Sequence, residues 1–194
     1  MTELLFREQP YLRSTPARVE SVDGRGLRLD RTVFYANSGG QPGDIGRLVL
    51  ADGRAISIVD ALKGEGGEDV VHVPAPDAAD AAAAAGGGAE VVAEIDWARR
   101  HRLMRMHTCM HLLSALLPYP VTGGQVGDGK GRLDFDMADA LPDKDALTEK
   151  LNQLVAADSE LPARWIRGAE LESSPGGEAA HGPGPRAPDR DRGA

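Results

Sequence analysis

The feature that most limits what this chain can fold into is a series of short runs in which apolar and polar residues alternate, separated by glycine-bearing turns. Ala17-Arg18-Val19-Glu20-Ser21-Val22 and Leu27-Arg28-Leu29-Asp30 flank Asp23-Gly24-Arg25-Gly26. Successive side chains of a strand point to opposite faces, so two such runs around a tight turn predict a hairpin with one buried face. Arg47-Leu48-Val49-Leu50 and Ala55-Ile56-Ser57-Ile58-Val59 repeat the pattern around Ala51-Asp52-Gly53, and Val70-Val71-His72-Val73 adds a strand ended by Pro74. Residues 1–76 are therefore expected to form a small, mostly antiparallel β domain. Within it, residues 31–46 are expected to be a loop, because Ser38-Gly39-Gly40-Gln41-Pro42-Gly43-Asp44 holds too many breakers for a regular element.

The period then changes. Residues 77–89 are Ala-rich and then Gly-rich without apolar periodicity, which reads as a surface connection with at most one frayed helical turn. Glu90 to Ile95 reads as a strand. Asp96 then stands as a helix N-cap before Trp97, and apolar residues recur by threes and fours at Leu103, Met106, Met110, Leu113 and Leu117, the stripe of a helix ended by Pro118. Arg132 to Met137 alternates like a strand, Asp143 to Ala157 carries Leu147, Leu151, Leu154 and Val155 on one helical face, and Ala163 to Ile166 predicts a last strand. Residues 90–171 thus read as a second, α+β unit, and the fold class as α+β. Residues 172–194 contain no Val, Ile, Leu, Met, Phe, Tyr or Trp, while nine of the 23 are Gly or Pro, so this tail is expected to be disordered.

Composition removes several function classes. The single cysteine, Cys109, excludes an intramolecular disulfide, and no C-x-x-C site exists. A formal net charge of -8 excludes a polycation built to coat nucleic acid, so any RNA contact would be local. No run approaches the length of a membrane span and the N-terminus lacks the pattern of a secretory signal, which makes the cytoplasm the expected compartment and a membrane partner unexpected.

Three local patterns could carry chemistry. In His107-Thr108-Cys109-Met110-His111 the two histidines lie four apart, one helical turn above each other on one face, where two imidazoles can bind a single metal. The same spacing arises by chance in surface or core histidines, and both readings stand on the residues alone. Cys109 lies about 200° around the helix from His107 and reads as a core cysteine. In the 38–44 loop the paired glycines permit close backbone approach to a ligand and Gln41 offers donors and an acceptor, although a tight turn without a ligand explains the same string. Arg99, Arg100, Arg102 and Arg105, joined by His101, form a basic run suited to phosphates or to a solvated helix face.

Two longer strings contain these patterns, Phe34-Tyr35-Ala36-Asn37-Ser38-Gly39-Gly40-Gln41-Pro42-Gly43-Asp44-Ile45-Gly46 and Asp96-Trp97-Ala98-Arg99-Arg100 followed by Met104-Arg105-Met106-His107-Thr108-Cys109-Met110-His111-Leu112-Leu113. Over residues 15 to 170 they resemble the editing domain of alanyl-tRNA synthetase and its freestanding AlaX-type relatives. The resemblance implies a β-rich domain feeding an α+β editing core. It also implies a hydrolase of translation fidelity that removes Ser or Gly wrongly esterified to tRNA(Ala). On that reading His107 and His111 bind Zn2+ and, with Gln41, are catalytic; Asn37, Ser38, Gly39, Gly40 and Gln41 bind substrate; and Arg99, Arg100, Arg102 and Arg105 contact the tRNA acceptor end.

One departure from the family pattern bears on activity. The resemblance implies a second ligand pair, C-x-x-x-H, near the end of the editing core, yet no cysteine follows Cys109 and the one later histidine is His181, within the tail. Two histidines leave zinc short of the three protein ligands usual in catalytic sites, so affinity is expected to be reduced unless a partner chain or His181 completes the site. The abrupt change in composition after Leu171 raises the expectation that the tail comes from a frameshift or truncation. A non-catalytic module that holds a tRNA acceptor end or a protein partner is the alternative reading.

Overall fold

In a computed structural model that describes residues 2–137 and 143–159, the elements run β1 (Glu3–Leu4), α1 (Leu5–Glu8), β2 (Ser14–Asp23), β3 (Gly26–Leu29), β4 (Arg31–Thr32), β5 (Gly46–Leu50), β6 (Ala55–Lys63) and β7 (Val70–Pro74). They continue with α2 (Ala79–Ala85), β8 (Glu90–Ile95), α3 (Trp97–Leu116), β9 (Val121–Val126), β10 (Gly131–Phe135) and α4 (Lys144–Ala156). The fold is α+β, as the alternation and the helical stripes require. Strands β2, β3, β7, β6, β5 and β8 follow one another around a closed barrel in which every neighbouring pair is antiparallel.

Alternation decides what fills this barrel. Ala17 and Val19 of β2, Leu48 and Leu50 of β5, Ile56 and Ile58 of β6, and Val91, Ala93 and Ile95 of β8 point inward and are buried, while their sequence neighbours face out. Closure leaves no open edge in the barrel, which removes the unpaired backbone groups that invite pairing with another chain.

The structure moves several boundaries. The strand at residues 90–95 closes the barrel between β5 and β2, so the first unit ends at Ile95 rather than at residue 76. The Ala-rich segment is no free connection: α2 packs on the barrel through the buried Ala78 and Ala82. Strand β6 runs on to Lys63 because a bulge between Ile58 and Asp60 lets Ala61 return to the core, which breaks the two-residue period. Inside the segment expected to be all loop, Arg31–Thr32 pairs in parallel with Glu3–Leu4. The strand expected at 163–166 and the tail at 172–194, with His181, lie outside the described residues.

The second unit is thinner. The β9–β10 hairpin lies against α3, with Leu103, Met110 and Val126 buried between them and Met106 and Leu133 packed alongside. Asp96 caps α3 as expected and Asp143 caps α4, their carboxylates accepting from backbone N–H groups of the first turn. The apolar face of α4 is only partly covered: Leu147 and Leu151 are half-buried, whereas Leu154 and Val155 are exposed.

Two buried polar arrangements tie these pieces together. In the barrel core, the Phe34 N–H donates to Thr32 Oγ1 at 3.0 Å, and Thr32 Oγ1 lies 2.8 Å from His72 Nε2. His72 Nδ1 lies 3.1 Å from the Leu27 carbonyl, which can only accept. Nδ1 therefore carries a proton, and in the neutral ring that burial favours, Thr32 donates to Nε2. Between the two units, Arg100 of α3 reaches back to the 33–46 segment. Its Nε donates to both Asp44 oxygens at 2.9 and 2.8 Å, its Nη2 donates to the Val33 carbonyl at 2.8 Å, and Nη2 also pairs with Asp44 Oδ2. The arginine is 3% exposed and the aspartate 1%.

Burial holds the His72 imidazolium pKa down at about 4, against 6.5 for an ordinary histidine, so the unfolded chain takes up the proton first. Stability contributed by this group is complete above pH 6.5 and falls by about 3 kcal/mol as pH drops to about 4. Denaturant titration should show that loss, and His72→Gln should flatten the slope in the same window even though it is less stable throughout. For the ion pair, Arg100→Met strands a buried carboxylate and should cost about 3–5 kcal/mol. Adding Asp44→Leu should restore part of it, so that a double-mutant cycle gives a coupling above about 1 kcal/mol.

Candidate functional site

The 33–46 segment owes its shape to its own backbone before any ligand is considered. Ser38 and Gln41 exchange backbone hydrogen bonds at 3.1 and 2.9 Å, which makes Gly39-Gly40 a two-residue turn, and both glycines have positive φ, +55° and +75°. That is the type I′ signature, which side-chain-bearing residues rarely adopt. Gly40 is constrained a second time. Its carbonyl accepts the Val126 N–H at 2.8 Å, and a Cβ there would overlap the Gly124 carbonyl. The turn is thereby stitched to β9 at Val126, 86 residues further along the chain (126 less 40).

The base of the loop is held by polar contacts. The Asn37 N–H donates to the Ala61 carbonyl at 2.8 Å, the Tyr35 N–H donates to Asp44 at 2.8 Å, and the Tyr35 hydroxyl donates to the Ser38 carbonyl at 3.0 Å. Burial pushes the Tyr35 phenol above its ordinary pKa, so it remains a donor. On the helix side, Arg99 donates through Nη1 to the Gly43 carbonyl at 2.8 Å, next to the Arg100–Asp44 pair.

These constraints place Gln41 against α3. The Gln41 side chain is 4% exposed, and His107 Nδ1 lies 2.9 Å from its Oε1. An amide oxygen accepts only, so the histidine donates from Nδ1, and in the neutral ring Nε2 is the nitrogen that carries the lone pair. His107 and His111 stack with centroids 4.9 Å apart and planes 15° apart. The two imidazoles, one oriented by a carbonyl as metal-bound histidines commonly are, fit half of a zinc site. Among the described residues no group of three or more His, Cys, Asp or Glu could hold a metal. Cys109 is half-buried.

Beside the histidines lies a cavity of about 200 Å³, walled by Gly39, His107, His111, Ser114, Thr122 and Gly123 together with Met110, Val126 and Leu133. Ser114 belongs to the same helical face as the histidines, at i, i+4 and i+7 from His107, and that spacing is readable in the sequence. Thr122 arrives only through the β9 pairing and has no sequence signal.

The structure does not bring all the expected residues to this cavity. From the loop, Gly39 lines it; Asn37, Ser38, Gly40 and Gln41 do not, and Gln41 acts on it through His107. The arginines do not form one patch. Arg100 is buried, with Nε and Nη2 donating to Asp44 and the Val33 carbonyl, and half-buried Arg99 serves Gly43. Arg102 pairs with Asp128 at 2.6 Å and holds that carboxyl below the usual carboxylate range, while Arg105 is exposed. Arg100 faces away from the others because residues one and two apart on a helix do not face the same way, whereas Arg99, Arg102 and Arg105 recur by threes along one side.

Among the described residues no helix is long and apolar enough to cross a membrane. No protein-family model matches the chain. It is 36% identical over 179 residues to the alanyl-tRNA editing protein AlaX-M of Methanosarcina mazei, covering 89% of this chain and 70% of that one. It is 33% identical over 173 residues to AlaX-M of Saccharolobus solfataricus, covering 86% and 69%. The alanine–tRNA ligase of Pyrobaculum arsenaticum is 46% identical over 117 residues, which is 58% of this chain and 12% of the ligase. With two AlaX-M proteins aligned along most of its length, the chain belongs to the family of AlaX-type alanyl-tRNA editing proteins.

Proposed function

We propose that this chain is a cytoplasmic hydrolase that deacylates tRNA(Ala) mischarged with serine or glycine, and that His107 and His111 hold part of a zinc site at the cavity. The observation that carries the reading is the 2.9 Å contact between Gln41 Oε1 and His107 Nδ1. It joins the two family strings at one atom pair and turns the ligating nitrogen of His107 outward from Gln41. Hydrolysis adds water to the ester carbonyl, breaks the bond to the ribose oxygen, and releases the amino acid and tRNA. A bound zinc ion would polarise that carbonyl or activate the water.

The remaining work falls to the chain itself. Gln41 is a positioning residue that keeps the His107 ring in one tautomer. Gly39, Ser114 and Thr122 line a cavity of about 200 Å³, below the 300–1,000 Å³ typical of drug-sized ligands and suited to a small aminoacyl group, and the two hydroxyls, which donate to the His111 and Asp134 carbonyls, keep acceptor lone pairs. Polar groups that pair with a seryl hydroxyl are left unpaired by alanine, and sites that bond a hydroxyl reject the analogue lacking it more strongly than apolar pockets discriminate by size.

A second reading, a non-catalytic module that holds the tRNA acceptor end, is favoured by the count of two candidate ligands among the described residues. A third ligand must then come from outside them, His181 or a partner chain, for the hydrolase to load zinc. Elemental analysis and deacylation of seryl- and glycyl-tRNA(Ala), with and without added zinc, separate the two. The hydrolase reading expects stoichiometric zinc and turnover, loss of both in His107→Ala, and about 10–100-fold lower metal affinity or rate in Gln41→Ala. A folded protein that binds tRNA with neither zinc nor turnover overturns it in favour of the module.

A further inference from the structure

A cluster of rings on the surface at the start of α3 has no part in that hydrolysis. Trp97 stacks on His101 one turn later, with centroids 5.4 Å apart and planes 17° apart. Tyr11 lies 5.6 Å from Trp97, and the Arg13 guanidinium sits 4.8 Å over the indole. The barrel brings these segments together: Ser14 pairs with Glu94 at the β2–β8 seam, and the Ile95 N–H donates to the Arg13 carbonyl at 3.1 Å. Trp97 is half-buried and packs against the barrel core, which fixes its position. Tyr11 is 66% exposed, and Arg13 and His101 are exposed as well.

We infer that this cluster is a stacking platform for unpaired nucleotides at the single-stranded 3′ end of tRNA, an inference that rests on the reading of the chain as acting on tRNA. Three features favour that occupant. Bases extruded from a duplex stack on aromatic rings and on guanidinium planes, and the cluster offers both side by side. Arg13 adds one cation to the rings in a chain whose formal net charge is -8, which suits a short single strand and not a long duplex. It also points toward the cavity. His111 lies about 40° around α3 from Trp97 and about 21 Å further on at 1.5 Å and 100° per residue. A strand that starts on Trp97 and follows this side of the helix runs toward His111. Recognition here needs no base-specific hydrogen bond, because every base has a stacking face.

The test compares the full chain's affinity for an uncharged tRNA(Ala) transcript with its affinity for the same transcript lacking the last four nucleotides. The wild-type chain should prefer the intact transcript by about tenfold or more, a loss of one to two stacked bases. Tyr11→Ala/His101→Ala, two exposed positions, should abolish that preference without moving the thermal midpoint, while Trp97→Phe should keep it. Equal affinity of the wild type for both transcripts overturns the platform, as does a double variant that still prefers the intact one. A wild type that deacylates seryl-tRNA(Ala) without end preference overturns the platform alone. A wild type with end preference and no deacylation keeps the platform and overturns the hydrolase.

Discussion

A guanidinium and a carboxylate, both removed from water, hold the two halves of this molecule in register. Arg100 and Asp44 are 56 residues apart, and each would be costly to bury without the other. The arrangement is close to fully bonded. The guanidinium meets both carboxylate oxygens and the Val33 carbonyl, and the carboxylate also receives the Tyr35 N–H. Such a pair contributes less to stability than its Coulomb attraction suggests, since desolvation offsets most of it. Its effect is specificity: no alternative docking of the loop on α3 satisfies both charges, so the Gly-Gly turn and the histidine-bearing helix have one relative position.

Everything at the site follows from that position. Gly43 and Asp44 are pinned to the first turn of α3 by Arg99 and Arg100, and Gly40 is pinned to β9 by its carbonyl. Gln41, between these anchors, has one place to put its amide, and that place is His107 Nδ1. The histidine two turns further along α3 than Arg100 is thus oriented by a loop that the ion pair holds. This is the support a metal site needs, because an imidazole free to flip presents its lone pair only part of the time. The same ion pair removes Arg100 from the open positive charge of that string.

Much of the fold was readable because it depends on local periods. The alternation at Ala17–Val22 and Ile56–Ile58, the N-cap at Asp96, and the stripes through Leu103 and Met110 and through Leu147 and Leu151 all predict the elements that contain them. What was not readable depends on partners far away. Residues 90–95 look like a strand of either unit until β2 and β5 are seen to flank it. Ala82 looks like linker because alanine carries no period, yet its small side chain is what lets α2 sit on the barrel. Arg100 resembles its neighbours in every local respect, and only Asp44 distinguishes it. At the site, the i, i+4 histidines were visible, whereas the role of Gln41 as a carbonyl for His107 needed the tertiary structure, since an exposed amide facing substrate has the same sequence.

The account turns on whether the loop sets the His107 ring through Gln41. Nitrogen-15 NMR of the imidazole in the metal-free chain, at a pH where the ring is neutral, reads the tautomer directly. The account predicts a wild-type ring protonated on Nδ1 and a mixture of tautomers in Arg100→Met. A wild-type ring protonated on Nε2, or an Nδ1 tautomer unchanged by Arg100→Met, would contradict it.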